Sequence, residues 1–212
     1  SLFDGHDAAI NMIRRLLQSA GAEVVHLGHN RSVADIVRAA IQEDADGIAV
    51  SSYQGGHNEY FVYMVDMLRE LGSDHIRVIV GGGGTISPDE IAALEQHGIE
   101  KIYTPEHGRT LGLQGMIHDV FERVGASRKP AYKWTPPTAN QHREIARAIT
   151  ALEGAGAADG AHAQIQQALA RVRRPPGAAV RGSGPVAVGA TQAAHKLAPV
   201  IGIRGTGGAG KS

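Results

Sequence analysis

The chain contains no cysteine, which excludes a disulfide scaffold and any thiolate metal or redox site. Aromatic side chains are scarce at 4%, and neither sign of charge is in excess: 21 Lys and Arg face 21 Asp and Glu. That balance lacks the basic footprint with which proteins hold a nucleic-acid backbone, so no nucleic-acid partner is expected. No apolar run approaches the ~18–20 residues that cross a bilayer, and no membrane span is expected either. Ser1-Leu2-Phe3-Asp4 shows no basic stretch leading into an apolar one, so it is not a signal peptide, and a cytoplasmic location is expected. No carboxylate pair or nucleophile–base arrangement stands out. What the 212 residues do have is 42% hydrophobic content, enough to bury a core, and 28 glycines. The length suits one ordinary α/β domain plus something smaller.

Hydrophobic periodicity divides the first 125 residues into alternating elements. A helical pattern runs from Asp7 through Ile13, Leu16 and Leu17 and ends at Gly21. The β-rich Glu23-Val24-Val25-His26-Leu27-Gly28 follows. Ser32 with Asp35 three residues on caps a helix whose stripe is Val33, Ile36, Val37, Ala40 and Ile41. Gly47-Ile48-Ala49-Val50-Ser51-Ser52 is a strand of small and apolar residues, as expected where both faces are covered. Phe61, Met64, Val65 and Leu68 mark the next helix, and Ile76-Arg77-Val78-Ile79-Val80 the next strand. Ser87-Pro88-Asp89-Glu90 supplies an N-cap, Pro at the first helical position and first-turn acids. Lys101-Ile102-Tyr103-Thr104 is a last short strand before a helix carrying Leu113, Met116, Ile117, Val120, Phe121 and Val124.

Strand–helix alternation at this spacing means right-handed βαβ units and a parallel sheet covered on both faces. The fold expected is a flavodoxin-like (Rossmann-like) five-stranded sheet of order 2-1-3-4-5. Four strands are legible, and the central first strand belongs just before Phe3, so it is truncated. Ser1 reads as the end of that strand and Ser212 stops inside a motif that opens a helix. The sequence therefore reads as a piece of a longer polypeptide that folds poorly alone. Domain limits are expected at 1–125, at 126–198 for a linker with helices, and at 199–212 for the start of a further domain. The linker carries Trp134-Thr135-Pro136-Pro137, a helix from about Asn140 to Leu152, a second near Gln164 to Val172, and a low-complexity stretch from Arg174 to Gly189.

In a doubly wound sheet, ligands bind beyond the carboxyl ends of the strands. Three such ends carry chemistry: Asp4-Gly5-His6-Asp7, then Ser51-Ser52-Tyr53-Gln54-Gly55-Gly56-His57, then Gly81-Gly82-Gly83-Gly84. Asp4 is placed to hold one ring nitrogen of His6, leaving the other free to ligate a metal. Consecutive glycines let a bulky ligand lie against the sheet where any Cβ would collide. A lone histidine does not make a protein-built zinc site, which needs three or four ligands, and suits a metal held by a macrocycle. His57 fits either a position near the ligand or a plain helix start. Tyr103, Thr104 and Pro105 end the last strand on the same side and are open between ligand contact and none. His75, His97, His118, His142, His162 and His195 read as ordinary surface residues.

Asp4-x-His6, Ser51-x-Tyr53 and Gly81-Gly82 resemble the Asp-x-His-x-x-Gly, Ser-x-Leu and Gly-Gly signature of cobalamin-binding domains, over about residues 1–125. Ala9 stands where that family has Gly, and Tyr53 where it has Leu. The resemblance implies that His6 replaces the benzimidazole as the lower axial ligand of cobalt, with Asp4 as its partner. It implies that Ser51, Gly81 and Gly82 line the cleft for the cofactor's tail. Gly5, Asp7, Tyr53, Gly55, Gly56, His57 and Gly83 complete the cofactor-binding set.

Pro199-Val200-Ile201-Gly202-Ile203 leads into Gly205-Thr206-Gly207-Gly208-Ala209-Gly210-Lys211-Ser212, a full P-loop pattern after an expected strand. Backbone N–H groups of Gly205, Gly207, Gly208, Ala209 and Gly210 would cradle phosphates, Lys211 would reach the β- and γ-phosphates, and Ser212 would ligate Mg²⁺. Together with Arg143-Glu144-Ile145-Ala146-Arg147-Ala148-Ile149-Thr150, this part is similar to the GTPase chaperones that service cobalamin mutases. A cobalamin domain ahead of such a GTPase looks like the fused isobutyryl-CoA mutases. That resemblance implies adenosylcobalamin, GTP and Mg²⁺ as cofactors, an acyl-CoA substrate held by a barrel beyond this sequence, and a homodimer. A methylmalonyl-CoA mutase-like enzyme, a methyltransferase or a cobalamin-sensing regulator is the alternative, and a nucleotide-binding protein on an inert scaffold a third.

Overall fold

The computed structural model describes residues 5–28, 31–51, 56–81, 86–126, 133–138, 140–153, 163–168 and 200–205, with residues 5–9 and 200–205 described by their backbone alone. The chain divides into two compact units, Ser1–Pro130 with Ala198–Ser212, and Ala131–Leu197. In the first unit, α1 (Gly5–Ser19), β1 (Glu23–His26), α2 (Val33–Gln42), β2 (Gly47–Ser51), α3 (His57–Glu70), β3 (Arg77–Gly81), α4 (Pro88–His97), β4 (Lys101–Tyr103) and α5 (Pro105–Gly125) alternate as their periodicity requires. The second contains α6 (His142–Glu153) and a helical stretch at residues 163–168.

Five strands form one parallel sheet in the order β1-β5-β2-β3-β4, where β5 is Val200–Gly205. The four strands expected between residues 23 and 104 are present, and their spatial order matches the doubly wound pattern. The central seat is taken differently from expectation. The strand between β1 and β2 in this structure is Val200–Gly205, the segment read above as the lead into the P-loop, while Ser1 to Asp4 lie outside the described residues. Its backbone pairs on both sides, Val24 with Ile201 on one edge and Ala49 with Ile203 on the other.

Strict alternation along the strands builds a core on each face of the sheet. Ile48 and Val50 of β2, Val78 and Val80 of β3 and Ile102 of β4 point to one face, where they meet the stripes of α2 and α3 and Leu94 of α4. Phe61 and Met64 of α3 are fully buried there. Ile79 and Tyr103 point to the other face and pack with Ile10 and Leu17 of α1 and Ile117, Val120 and Val124 of α5, with Ala49 partly buried beside them. Leu113, read as part of the α5 stripe, is instead exposed.

Local signals set the helix limits. Ser32 accepts a hydrogen bond from the Asp35 N–H at 3.1 Å and starts α2. Ser87 and Glu90 form a reciprocal capping box, and Pro88 opens α4. Gly21, at φ +101°, turns the chain out of α1. The span of α5 is broken at Gly112, whose φ of 64° and ψ of 172° are non-helical, so the element is two helical pieces meeting at a kink. At the far end of α4, His97 Nε2 lies 2.8 Å from Asp66 of α3.

Gly47, where β2 begins, is required by close approach. A Cβ there would come within 2.9 Å of Cγ2 of Val124 and 3.4 Å of the Arg77 carbonyl oxygen. Val124 is buried and stiff about χ1, so it cannot swing aside. Gly47→Ala is expected to destabilise the fold by about 1–3 kcal/mol, measured by denaturant unfolding. Combined with Val124→Ala it should cost less than the sum of the two single changes.

Candidate functional site

Parallel pairing puts the ends of the strands in one row. Ser51 is in register with Gly81 on one side and Gly205 on the other, and Gly81 with Tyr103. These positions form the carboxyl edge, where open α/β sheets bind ligands. Helix α1 joins the row by connectivity: it ends at Ser19, just ahead of β1, which starts at the opposite edge. Its 15 residues, rising about 1.5 Å each, return its amino end to the carboxyl edge. Gly5, His6 and Asp7 lie in that first turn. The structure thus brings together Gly5, His6, Asp7, Ser51, Gly81 and Gly205. Asp4, Tyr53, Gly55, Gly82 and Gly83 lie outside the described residues, as do Gly207, Gly208, Ala209, Gly210, Lys211 and Ser212 of the P-loop.

Among the described residues, nothing crowds the two glycines at this edge. A Cβ on Gly81 would meet nothing within 4 Å, and the same holds for Gly56. Among the described residues no group of three or more His, Cys, Asp or Glu could hold a metal ion.

His57 has a defined place. It opens α3 behind Gly56, which is left-handed at φ +82°. Its side chain is 10% exposed, with Nε2 3.4 Å from Oε1 of Glu90 in α4. The Asn58 amide donates to the same oxygen at 2.9 Å, and the Ser87 N–H donates to Oε2 at 2.8 Å. The Ser87 backbone and hydroxyl, then Asn58, hold the Glu90 carboxyl down to about 2. Sequence reading caught Glu90 only as a first-turn acid. Its position three residues after Ser87 signals the cap, and nothing local signals the reach to residues 57 and 58.

Tyr103 and Thr104 are occupied by the protein itself. The Tyr103 hydroxyl donates to Oδ2 of Asp119 at 2.5 Å, and Arg123 Nε donates to the same oxygen at 3.0 Å. Arg123 also reaches Glu100 at 3.3 Å, and Arg77 meets the other Glu100 oxygen at 3.4 Å. Burial, then Asp119, pushes the Tyr103 phenol well above its ordinary value. Burial opposes ionisation of Asp119, but the bonds from Tyr103 and Arg123 outweigh it and lower its pKa. The Thr104 N–H donates to His107 Nδ1 at 3.1 Å. Tyr103 therefore anchors β4 to α5.

Because Glu90 is lowered from 4.5 to about 2, its contacts contribute stability that is complete above pH 4.5 and lost as the pH falls toward 2. Glu90→Gln is expected to flatten that part of the acid-unfolding profile, followed by circular dichroism.

The B12 binding domain family model matches residues 1–106. The chain is 50% identical over 216 residues to a fused isobutyryl-CoA mutase of Cupriavidus metallidurans, an alignment covering 100% of this chain and 17% of that protein. It is 49% identical over 214 residues to the fused isobutyryl-CoA mutase of Geobacillus kaustophilus, covering 100% of this chain and 18% of that protein. A 2-hydroxyisobutanoyl-CoA mutase small subunit of Aquincola tertiaricarbonis is 35% identical over 100 residues, 47% of this chain and 71% of that protein. The chain thus spans only 17 to 18% of the length of the first two. Among the described residues no helix is long and apolar enough to cross a membrane. The matched segment carries β1 to β4 and the histidine at the head of α1, and the chain belongs to the B12 binding domain family.

Proposed function

We propose that this chain is the cofactor-holding part of an adenosylcobalamin-dependent acyl-CoA mutase that interconverts isobutyryl-CoA and n-butyryl-CoA, fused to a GTP-hydrolysing chaperone domain. The observation that supports the reading most is the register of Ser51 with Gly81 at the carboxyl edge, toward which the connectivity of α1 directs its His6 turn. Whole-chain similarity to fused isobutyryl-CoA mutases favours this mutase over other cobalamin proteins.

When bound, the cofactor would supply the radical chemistry of the rearrangement. The chain's own part is to hold and orient. His6 would hold the cobalt through one ring nitrogen, and its neutral imidazole would need a hydrogen-bond acceptor for the other, a role that would fall to Asp4. Ser51, Gly81 and Gly82 would line the tail cleft, where the two glycines, lacking Cβ atoms, permit close approach. Lys211 neutralises the β- and γ-phosphates of GTP, and Ser212 binds its Mg²⁺. The acyl-CoA partner sits in a barrel outside this sequence, in a cytoplasmic homodimer.

Titration of the full chain with adenosylcobalamin tests this. The expected result is a base-off spectrum and, after photolysis, a cobalt EPR signal split by a protein nitrogen, lost in His6→Ala. No spectral change at saturating cofactor overturns the cobalamin reading. Lys211→Ala is expected to abolish GTP binding, measured by calorimetry, while leaving the corrinoid spectrum unchanged.

A further inference from the structure

The Ser51-x-Tyr53 and Gly81-Gly82 motifs follow different strands, and the chain returns from them at Gly56–Asn58 and Ile86–Glu90 respectively. Both return points are at helix starts, α3 and α4, and neighbouring helix ends are not held at a fixed separation by the sheet alone. One side chain spans them. Glu90 accepts from Asn58 at 2.9 Å, lies 3.4 Å from His57 Nε2, and accepts from the Ser87 N–H at 2.8 Å. Two of these partners belong to α3 and the third to the cap of α4 itself. The carboxylate is therefore fixed at one oxygen by its own helix and at the other by its neighbour.

An acid that only capped α4 would need the Ser87 contact alone. The second oxygen is committed to the stretch that follows Ser51-x-Tyr53. His57 is correspondingly tucked against Glu90, with a side chain 10% exposed, so it serves the protein at this point and not the solvent.

We propose that Glu90 is a positioning residue that, through Asn58 and His57, sets the spacing of the two motifs lining the cofactor's tail cleft. The proposal rests on the cobalamin reading above. It makes a distinction that a general stabilising role does not. A clamp on the tail cleft acts on a corrinoid that carries the benzimidazole tail and is indifferent to one that lacks it.

The test compares adenosylcobalamin with adenosylcobinamide, which has no such tail, in the full chain and in three variants. Glu90→Ala removes both halves of the clamp. Glu90→Gln keeps an acceptor for the Ser87 N–H and so preserves the α4 cap. Asn58→Ala opens the clamp from the other side without touching that cap. Losing a supporting contact of this kind typically costs about 10–100-fold in affinity. The expected result is a loss of that order for adenosylcobalamin in Asn58→Ala and Glu90→Ala, with adenosylcobinamide unchanged within about twofold. Glu90→Gln should fall between, and its effect should not add to that of Asn58→Ala. A wild-type chain that binds the corrinoids, with variants that keep its preference between them, overturns the clamp alone. Parallel weakening of both corrinoids together with a lowered Tm overturns it too, in favour of a purely structural role. A wild-type chain that binds neither corrinoid overturns the cobalamin reading and the clamp with it.

Discussion

The architecture depends on the occupancy of one seat in the sheet. Among the described strands, β1 and β2 do not touch each other; each pairs with β5 between them, and β1 has no other partner. A buried strand must satisfy its N–H and C=O groups on both sides, because each unmet group costs about as much as a lost hydrogen bond. Val200–Gly205 meets that demand, and with it β1, α1 and the amino end of α1 where His6 lies are tied to the rest of the molecule. The packing of Ile10 and Leu17 of α1 on Ile79, Tyr103 and α5 makes a second tie between the helix that carries His6 and the Ser51–Gly81 edge.

Once the seat is filled, parallel register does the remaining alignment. Ser51, Gly81, Tyr103 and Gly205 fall on one line without any side chain specifying it, since evenly spaced ladder bonds carry the register from strand to strand. Side chains then act at the two flanks. On one face Glu90 joins the starts of α3 and α4, and on the other Asp119 and Arg123 lock Tyr103 to α5. Between them, among the described residues, a Cβ on Gly81 would meet nothing within 4 Å.

This division explains what could be read without coordinates. The strands at 23–26, 47–51, 77–81 and 101–103 were legible because period-2 and period-3.6 patterns alternate cleanly, and Ser87-Pro88 marked α4 to the residue. The clustering of Ser51 and Gly81 was legible because strand ends in a parallel sheet share an edge. Three things were not. Which segment fills the central seat is a question of long-range pairing, and Val200-Ile201-Gly202-Ile203 suits either a sheet centre or the lead into a P-loop. The roles of Asn58, Glu90 and Asp119 depend on contacts 16 to 32 residues apart in sequence, which no local pattern encodes. Tyr103 ended its strand at the right edge, but its hydroxyl turns to Asp119, a choice made by burial and not by sequence order.

The kink at Gly112 divides the labour within α5. The later piece contributes Ile117, Val120 and Val124 to the core, while the earlier one begins at the Thr104–His107 cap beside the carboxyl edge. A conformation with φ of 64° and ψ of 172° is open almost only to glycine, and it interrupts the rigid transmission that a continuous helix would provide. The two pieces therefore point differently, with the ring of His107 in the first packed edge-on at 5.9 Å against the ring of the buried Tyr103. Any other residue at position 112 would have to give up that conformation, so a single glycine sets the direction in which the rim helix leaves the one that supports the core.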